Sequence, residues 1–156
     1  MKKLFLLSMI ACIALNAAEP SHQTIGMKNG RFWNTVESVD FKHAFILGLL
    51  DGWELRGDTQ DIVKSNVVII MSGGGKFTTA DLTSMVTSVY SGAENLTLPV
   101  GWVVMGCLAV QRGDTTTEVV MMALRKHLAA LMSMKDAVSS DVDPVQLIID
   151  LRPNQP

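Results

Sequence analysis

The stretch Leu98-Pro99-Val100-Gly101-Trp102-Val103-Val104-Met105-Gly106-Cys107-Leu108-Ala109-Val110 holds no charged side chain, and it decides the fold. A segment that is apolar on every face has to be surrounded by other elements. It is much shorter than the about 20 apolar residues that a bilayer span requires, so we do not interpret it as transmembrane. The sequence therefore predicts a buried central element.

Two signals favour a helix over residues 99–111. Pro99 suits the first position of a helix, and Gly113 suits the left-handed residue that ends one. The valines of this stretch are also good strand formers, and periodicity alone does not separate a buried helix from a buried strand. The flanking segments carry helical periods, so we predict a helix.

Three further helices are predicted around this element, at residues 38–56, 79–90 and 118–133. In each, apolar residues recur at spacings of three and four. Ser38 provides one N-cap, and capping boxes are expected from Thr78 with Asp81 and from Thr115 with Glu118. The pattern predicts an all-α single domain, a bundle of about five helices around a buried central helix.

Residues 58–76 do not resolve into one pattern. A short helix is expected first, while the β-branched run 67–71 fits a strand or a helix equally well. The loop that follows, 72–76, resembles a phosphate loop but has Ile70 and Phe77 where that motif needs a glycine and a hydroxyl. We therefore predict no nucleotide site there.

The chain begins like an exported protein. Lys2 and Lys3 precede an apolar run, and Asn16-Ala17-Ala18 offers small residues for cleavage, so residues 1–18 are predicted to be a signal peptide. Whether Cys12 is lipidated stays open. Residues 19–30 are polar and glycine-containing and are predicted to be a flexible lead into a helical domain at 31–152.

Composition narrows the classes of function. Cleavage after residue 18 removes two of the 13 basic residues and none of the 15 acidic ones, which leaves a net charge of −4. Nucleic-acid binding calls for a basic stripe, so it is not expected. The about 138 remaining residues suit one domain.

Cys107 is then the sole cysteine, so no internal disulfide is expected. Its apolar sequence neighbours predict that Cys107 is a small, buried hydrophobic residue.

The predicted helix at 38–56 carries Ala44, Gly48 and Gly52 four residues apart, in one line. Glycine inside a helix costs about 0.8–1 kcal/mol relative to alanine. The usual compensation is close approach of another backbone, so we predict close helix packing there. A ligand using the same groove is the alternative.

Catalytic signals are weak. His22, His43 and His127 are scattered, and none has a second ligand at helical spacing, so neither a metal site, a cofactor site nor a hydrolytic triad is predicted. An acid–base site at His43 with Asp51 and Glu54 is one interpretation. A solvated polar face is the interpretation we favour.

Two pieces of the chain resemble a known group of proteins. The first piece consists of Trp33, residues 45–48 and the pair Asp51-Gly52. The second piece is residues 79–110, which contain the pairs Val89-Tyr90, Glu94-Asn95 and Leu98-Pro99. Residues 31–113 resemble small exported, uncharacterised bacterial helical proteins and, more loosely, the Tai/Rap amidase-immunity family of type VI secretion. The resemblance implies a helical periplasmic protein that binds and blocks a toxic cell-wall amidase. The chain lacks that family's cysteine pair.

Together these signals predict a non-enzymatic, exported, periplasmic protein-binding module, immunity-like in the sense of that family. Its partner would be an envelope protein or a secreted effector, and Asp51, Glu54 and Asp58 are the expected contact face. A structural or stress-response envelope protein without a single partner is the alternative. The acidic net charge favours a basic partner.

Overall fold

A computed structural model describes residues 20–56 and 77–133. The described part begins with a hairpin of two short antiparallel strands, β1 (Gln23–Thr24) and β2 (Met27–Lys28). Five α-helices and one 3₁₀ turn follow in that part: α1 (Gly30–Thr35), α2 (Val39–Arg56), α3 (Thr79–Val89), the 3₁₀ turn Ala93–Asn95, α4 (Val100–Gln111) and α5 (Thr117–Ser133). The all-α prediction is confirmed. The predicted signal peptide, the segment at residues 58–76 and the part of the predicted domain at residues 134–152 lie outside the described residues.

The apolar stretch forms helix α4, which packs against α3 and α5. Nine of its twelve residues are buried, as an all-round apolar helix requires. Pro99 was predicted to be the first helical residue, but it is the N-cap, with an extended ψ of 137°, and the helix begins at Val100. Gly113 has a φ of +83°, and its N–H donates to the carbonyl of Val110, which confirms the left-handed helix end.

The capping predictions have different outcomes at the two helices. At α3 the Thr78 hydroxyl accepts from the backbone N–H of Asp81, and the Asp81 carboxylate accepts from the N–H of Thr78. The Asp81 carboxylate also accepts from the Thr78 hydroxyl, and this hydrogen bond, with the one from the backbone N–H of Thr78, holds the pKa of Asp81 below its ordinary value. At α5 the predicted box is wrong, because the hydroxyl of Thr116, not of Thr115, accepts from the N–H of Val119.

The segment before α1 is a hairpin where the sequence predicted a flexible lead. Asn29 organises it and is fully buried. Its amide donates to the Thr24 hydroxyl at 2.9 Å, and its side-chain oxygen accepts from the N–H groups of Arg31 and Phe32 at the start of α1. The backbone of Asn29 also forms an isolated β-bridge with Pro99, so this one residue joins the hairpin, α1 and the start of α4.

Tyr90 links α1 to the turn after α3 through contacts of its side chain. Its hydroxyl donates to the carbonyl of Leu98 at 2.9 Å, and burial raises its pKa. Trp33 lies beside it, and the indole N–H donates to the Thr87 hydroxyl at 3.1 Å.

No described helix is long and apolar enough to span a membrane.

Gly30→Ala is expected to destabilise the fold by about 1–3 kcal/mol. The added Cβ would overlap the Tyr90 ring and lie 3.0 Å from the Cα of Leu96. The ring cannot withdraw without breaking the bond from its hydroxyl to Leu98. A lower melting temperature by circular dichroism tests this, and an unchanged melt would show that the contact is not tight.

Ile25→Asn is expected to stabilise the fold by about 1 kcal/mol. Ile25 and Gly26 form the turn of the hairpin with φ values of 47° and 78°. A β-branched residue is strained in this region, whereas asparagine tolerates it. Ile25 is 46% exposed, so little apolar burial is lost. Chemical denaturation measures the difference, and a less stable Ile25→Asn variant would contradict the assignment of strain.

Candidate functional site

The predicted contact face is only partly within the described residues. Asp51 is exposed on α2. Glu54 belongs to the same helix, but its side chain lies outside the description, as does the whole of Asp58. This face therefore stays a prediction, with Asp51 as its one described side chain.

The small residues of α2 face outward. Ala44 and Gly48 are exposed and Gly52 is partly buried. Among the described residues nothing lies within 4 Å of a Cβ built on Gly48 or Gly52. The described helices thus do not provide the close packing predicted for Ala44, Gly48 and Gly52, and that prediction stays untested.

Among the described residues, close helix approach occurs at Gly106, which no pattern in the sequence singled out. A Cβ there would lie 2.9 Å from the Cε of Met121 and 3.3 Å from the Cγ2 of Val120. This is the contact between α4 and α5. Gly106 lies in a uniformly apolar helix, so no periodicity marked it as facing a neighbour.

The N-terminal half of α2 presents aromatic rings beside the small residues. Phe41 is 48% exposed, and Phe45 follows one turn later. Phe32 from α1 lies 6.5 Å from the ring of Phe41 and 5.7 Å from that of Phe45. The ammonium of Lys28 stands 4.8 Å above the Phe32 ring. Ring–ring and cation–π contacts fix these side chains while leaving Phe41 open to solvent.

We call Phe41, Ala44, Phe45, Gly48 and Asp51 the α2 outer face. At 100° per residue these positions fall on one side of the helix. The rings of Phe41 and Phe45 lie at one end of this side, and the carboxylate of Asp51 lies at the other end. Between them the small residues Ala44 and Gly48 leave the helix surface flat. Such a surface can receive an apolar element closely and a cation at its end.

A second feature is a cleft of about 590 Å³ between α3, the turn after it, α4 and α5. Met85, Val89, Cys107 and Met121 form its apolar part. Its polar lining residues include Ser88, Ser91 and Thr117 and the charged residues Glu94, Glu118 and Arg125.

Arg125 is held in place by Asn95. One guanidinium nitrogen donates to the Asn95 side-chain oxygen at 2.6 Å. The Asn95 amide in turn donates to the carbonyl of Val89 at 2.9 Å. Asn95 is buried, so it orients Arg125 from a fixed position.

The described residues contain no arrangement that points to a nucleophile or a metal. Burial raises the pKa of the Cys107 thiol to about 12, so the thiol stays protonated at neutral pH. His22 is exposed, and His127 packs its ring 5.6 Å from that of Trp102. No group of three or more His, Cys, Asp or Glu side chains is placed to hold a metal within residues 20–56 and 77–133.

No family model, no curated protein and no solved structure matches the chain. The resemblance to the Tai/Rap family therefore remains a prediction from the motifs.

Gly48→Ala is expected to stabilise the protein by about 0.8–1 kcal/mol. The described surroundings leave the new Cβ free of contacts, while alanine favours the helical backbone. Gly30→Ala, which meets the Tyr90 ring, is the matched control with the opposite sign. Thermal melts of both variants test the contrast. Destabilisation by Gly48→Ala would show that another element packs against Gly48.

Proposed function

We propose that this protein is an exported, non-catalytic protein-binding module that docks its partner on the α2 outer face. Export is inferred from the signal-peptide pattern of residues 1–18. By the resemblance in residues 31–113, the partner is a secreted effector and the binding is immunity-like. The observation that carries the proposal is the exposed aromatic ring of Phe41 beside Gly48, whose Cβ position has no described residue within 4 Å.

The composition of this face supports docking more than solvation. Aromatic side chains that are already fixed lose little entropy on binding and often dominate binding energy. Ala44 and Gly48 carry almost no side chain, so a partner backbone or helix can approach α2 closely. Asp51 at the far end, with the net negative charge of the mature chain, favours a partner that is basic at this edge.

The proposal is tested by capture from the periplasm of the source cell with the mature chain as bait. Phe41→Ser is expected to reduce capture of the partner at least about tenfold, since hot-spot truncations cost about 2 kcal/mol or more. Gly48→Leu is expected to block docking while leaving the melt close to that of the wild type, because nothing described lies within 4 Å of its Cβ. Charge reversal at Asp51 and Glu54 should weaken capture mainly at low salt.

Met122→Ser is the matched control. Met122 is 57% exposed on α5, so the substitution removes exposed apolar surface from a different helix, as Phe41→Ser does from α2. A single partner that Phe41→Ser and Gly48→Leu still capture would reject the α2 outer face. Capture of no single partner would favour the structural envelope role, and turnover that is lost on changing His43 or His127 would reject the non-catalytic proposal.

A further inference from the structure

The cleft beside Arg125 shares no residue with the α2 outer face and has chemistry of a different kind. Its volume, about 590 Å³, is within the about 300–1,000 Å³ of small-molecule sites. Four elements of the fold contribute to its lining, so its shape depends on the packed core and not on one loop.

The charged groups of this cleft are not neutralised by one another. Within the described residues the one ion pair is between Arg112 and Asp114, at 3.3 Å. Glu94, Glu118 and Arg125 all line the cleft, yet no nitrogen of Arg125 lies within 4.0 Å of a carboxylate in that part of the chain. The cleft thus presents separated charges of both signs.

Arg125 is positioned to receive a carboxylate. One N–H is used by Asn95, and no other described group accepts from the guanidinium, whose remaining N–H groups form a planar fork. A carboxylate matches this fork with two parallel hydrogen bonds. Glu118, Met121 and Arg125 are spaced three and four residues apart, so they line one side of α5 in the order acid, apolar, base.

We propose that this cleft binds a small zwitterion, a free amino acid or a dipeptide. The carboxylate of the ligand pairs with Arg125, and its ammonium lies toward Glu94 and Glu118. An aliphatic side chain of the ligand packs on Met85 and Met121, and the hydroxyls of the lining hydrogen-bond its remaining polar groups. A phosphate or a dicarboxylate would bring a second negative charge toward the two glutamates, which disfavours those ligands.

Titration of the mature protein by calorimetry and by NMR tests the proposal. The probes are the free amino acids and the dipeptides of alanine followed by each of the twenty residues. For the tightest ligand among them, the N-acetylated and the C-amidated forms are measured too. We expect at least one free amino acid or dipeptide to bind and to shift the side-chain N–H resonance of Arg125, and each blocked form to bind at least about tenfold more weakly.

Two variants and one control separate recognition from folding. Arg125→Gln should weaken binding at least about tenfold, and Glu118→Gln should weaken the free dipeptide more than the N-acetylated one. Glu118 is exposed and makes no side-chain hydrogen bond among the described residues, so Glu118→Gln tests the cleft even where loss of the Asn95 contact lowers the melt of Arg125→Gln. Arg112→Gln, outside the cleft, should leave affinity unchanged.

The proposal is overturned if no probe binds at millimolar concentration, if the blocked forms bind as well as the free dipeptide, or if both cleft variants bind like the wild type. These results are independent of partner capture. Phe41→Ser and Gly48→Leu should leave dipeptide binding unchanged, because neither residue lines the cleft.

Discussion

The burial of an uncharged helix is the constraint on which the rest of this structure depends. Helix α4 has no polar side to turn to water, so neighbours must cover it on several sides. Full burial of one large aliphatic side chain is worth about 1.5–3 kcal/mol, and α4 buries several of them. Gly106 lets α5 approach on one side, and Trp53 from α2 lies 3.6 Å from a Cβ position at Gly101.

Buried polar side chains then connect the periphery to that core. Asn29 satisfies hydrogen bonds of the hairpin and of α1, and Tyr90 bonds the backbone just before α4. A buried polar group without partners is costly, so such fully bonded residues specify one arrangement of the chain around them. Their effect reaches the surface, because α1 carries Phe32 to the aromatic rings of α2.

The two surfaces that result differ in chemistry. The α2 outer face is a mainly apolar surface with Asp51 at one end, which suits a macromolecular partner, whereas the cleft beside Arg125 is concave and lined by charged residues, which suits a small polar ligand. Neither requires a reactive group, which agrees with a protonated Cys107 thiol and with the packing of His127 on Trp102. Both proposals therefore describe binding.

The sequence by itself determined the helical class, the helix at α4, its left-handed end at Gly113 and the cap of α3 by Thr78. These depend on local spacing, on backbone conformation and on hydrogen bonds within four residues, all of which the sequence displays. It did not indicate the hairpin before α1, because Asn29 gains its role from Thr24 and Pro99, and Pro99 is 70 residues away along the chain. It did not single out Gly106, where α5 approaches α4 closely, since helical periodicity does not tell which glycine meets a neighbour. The pairing of Arg125 with Asn95 and the cleft around it were decided by tertiary structure alone, because they join side chains from helices and turns that meet only when α4 is covered.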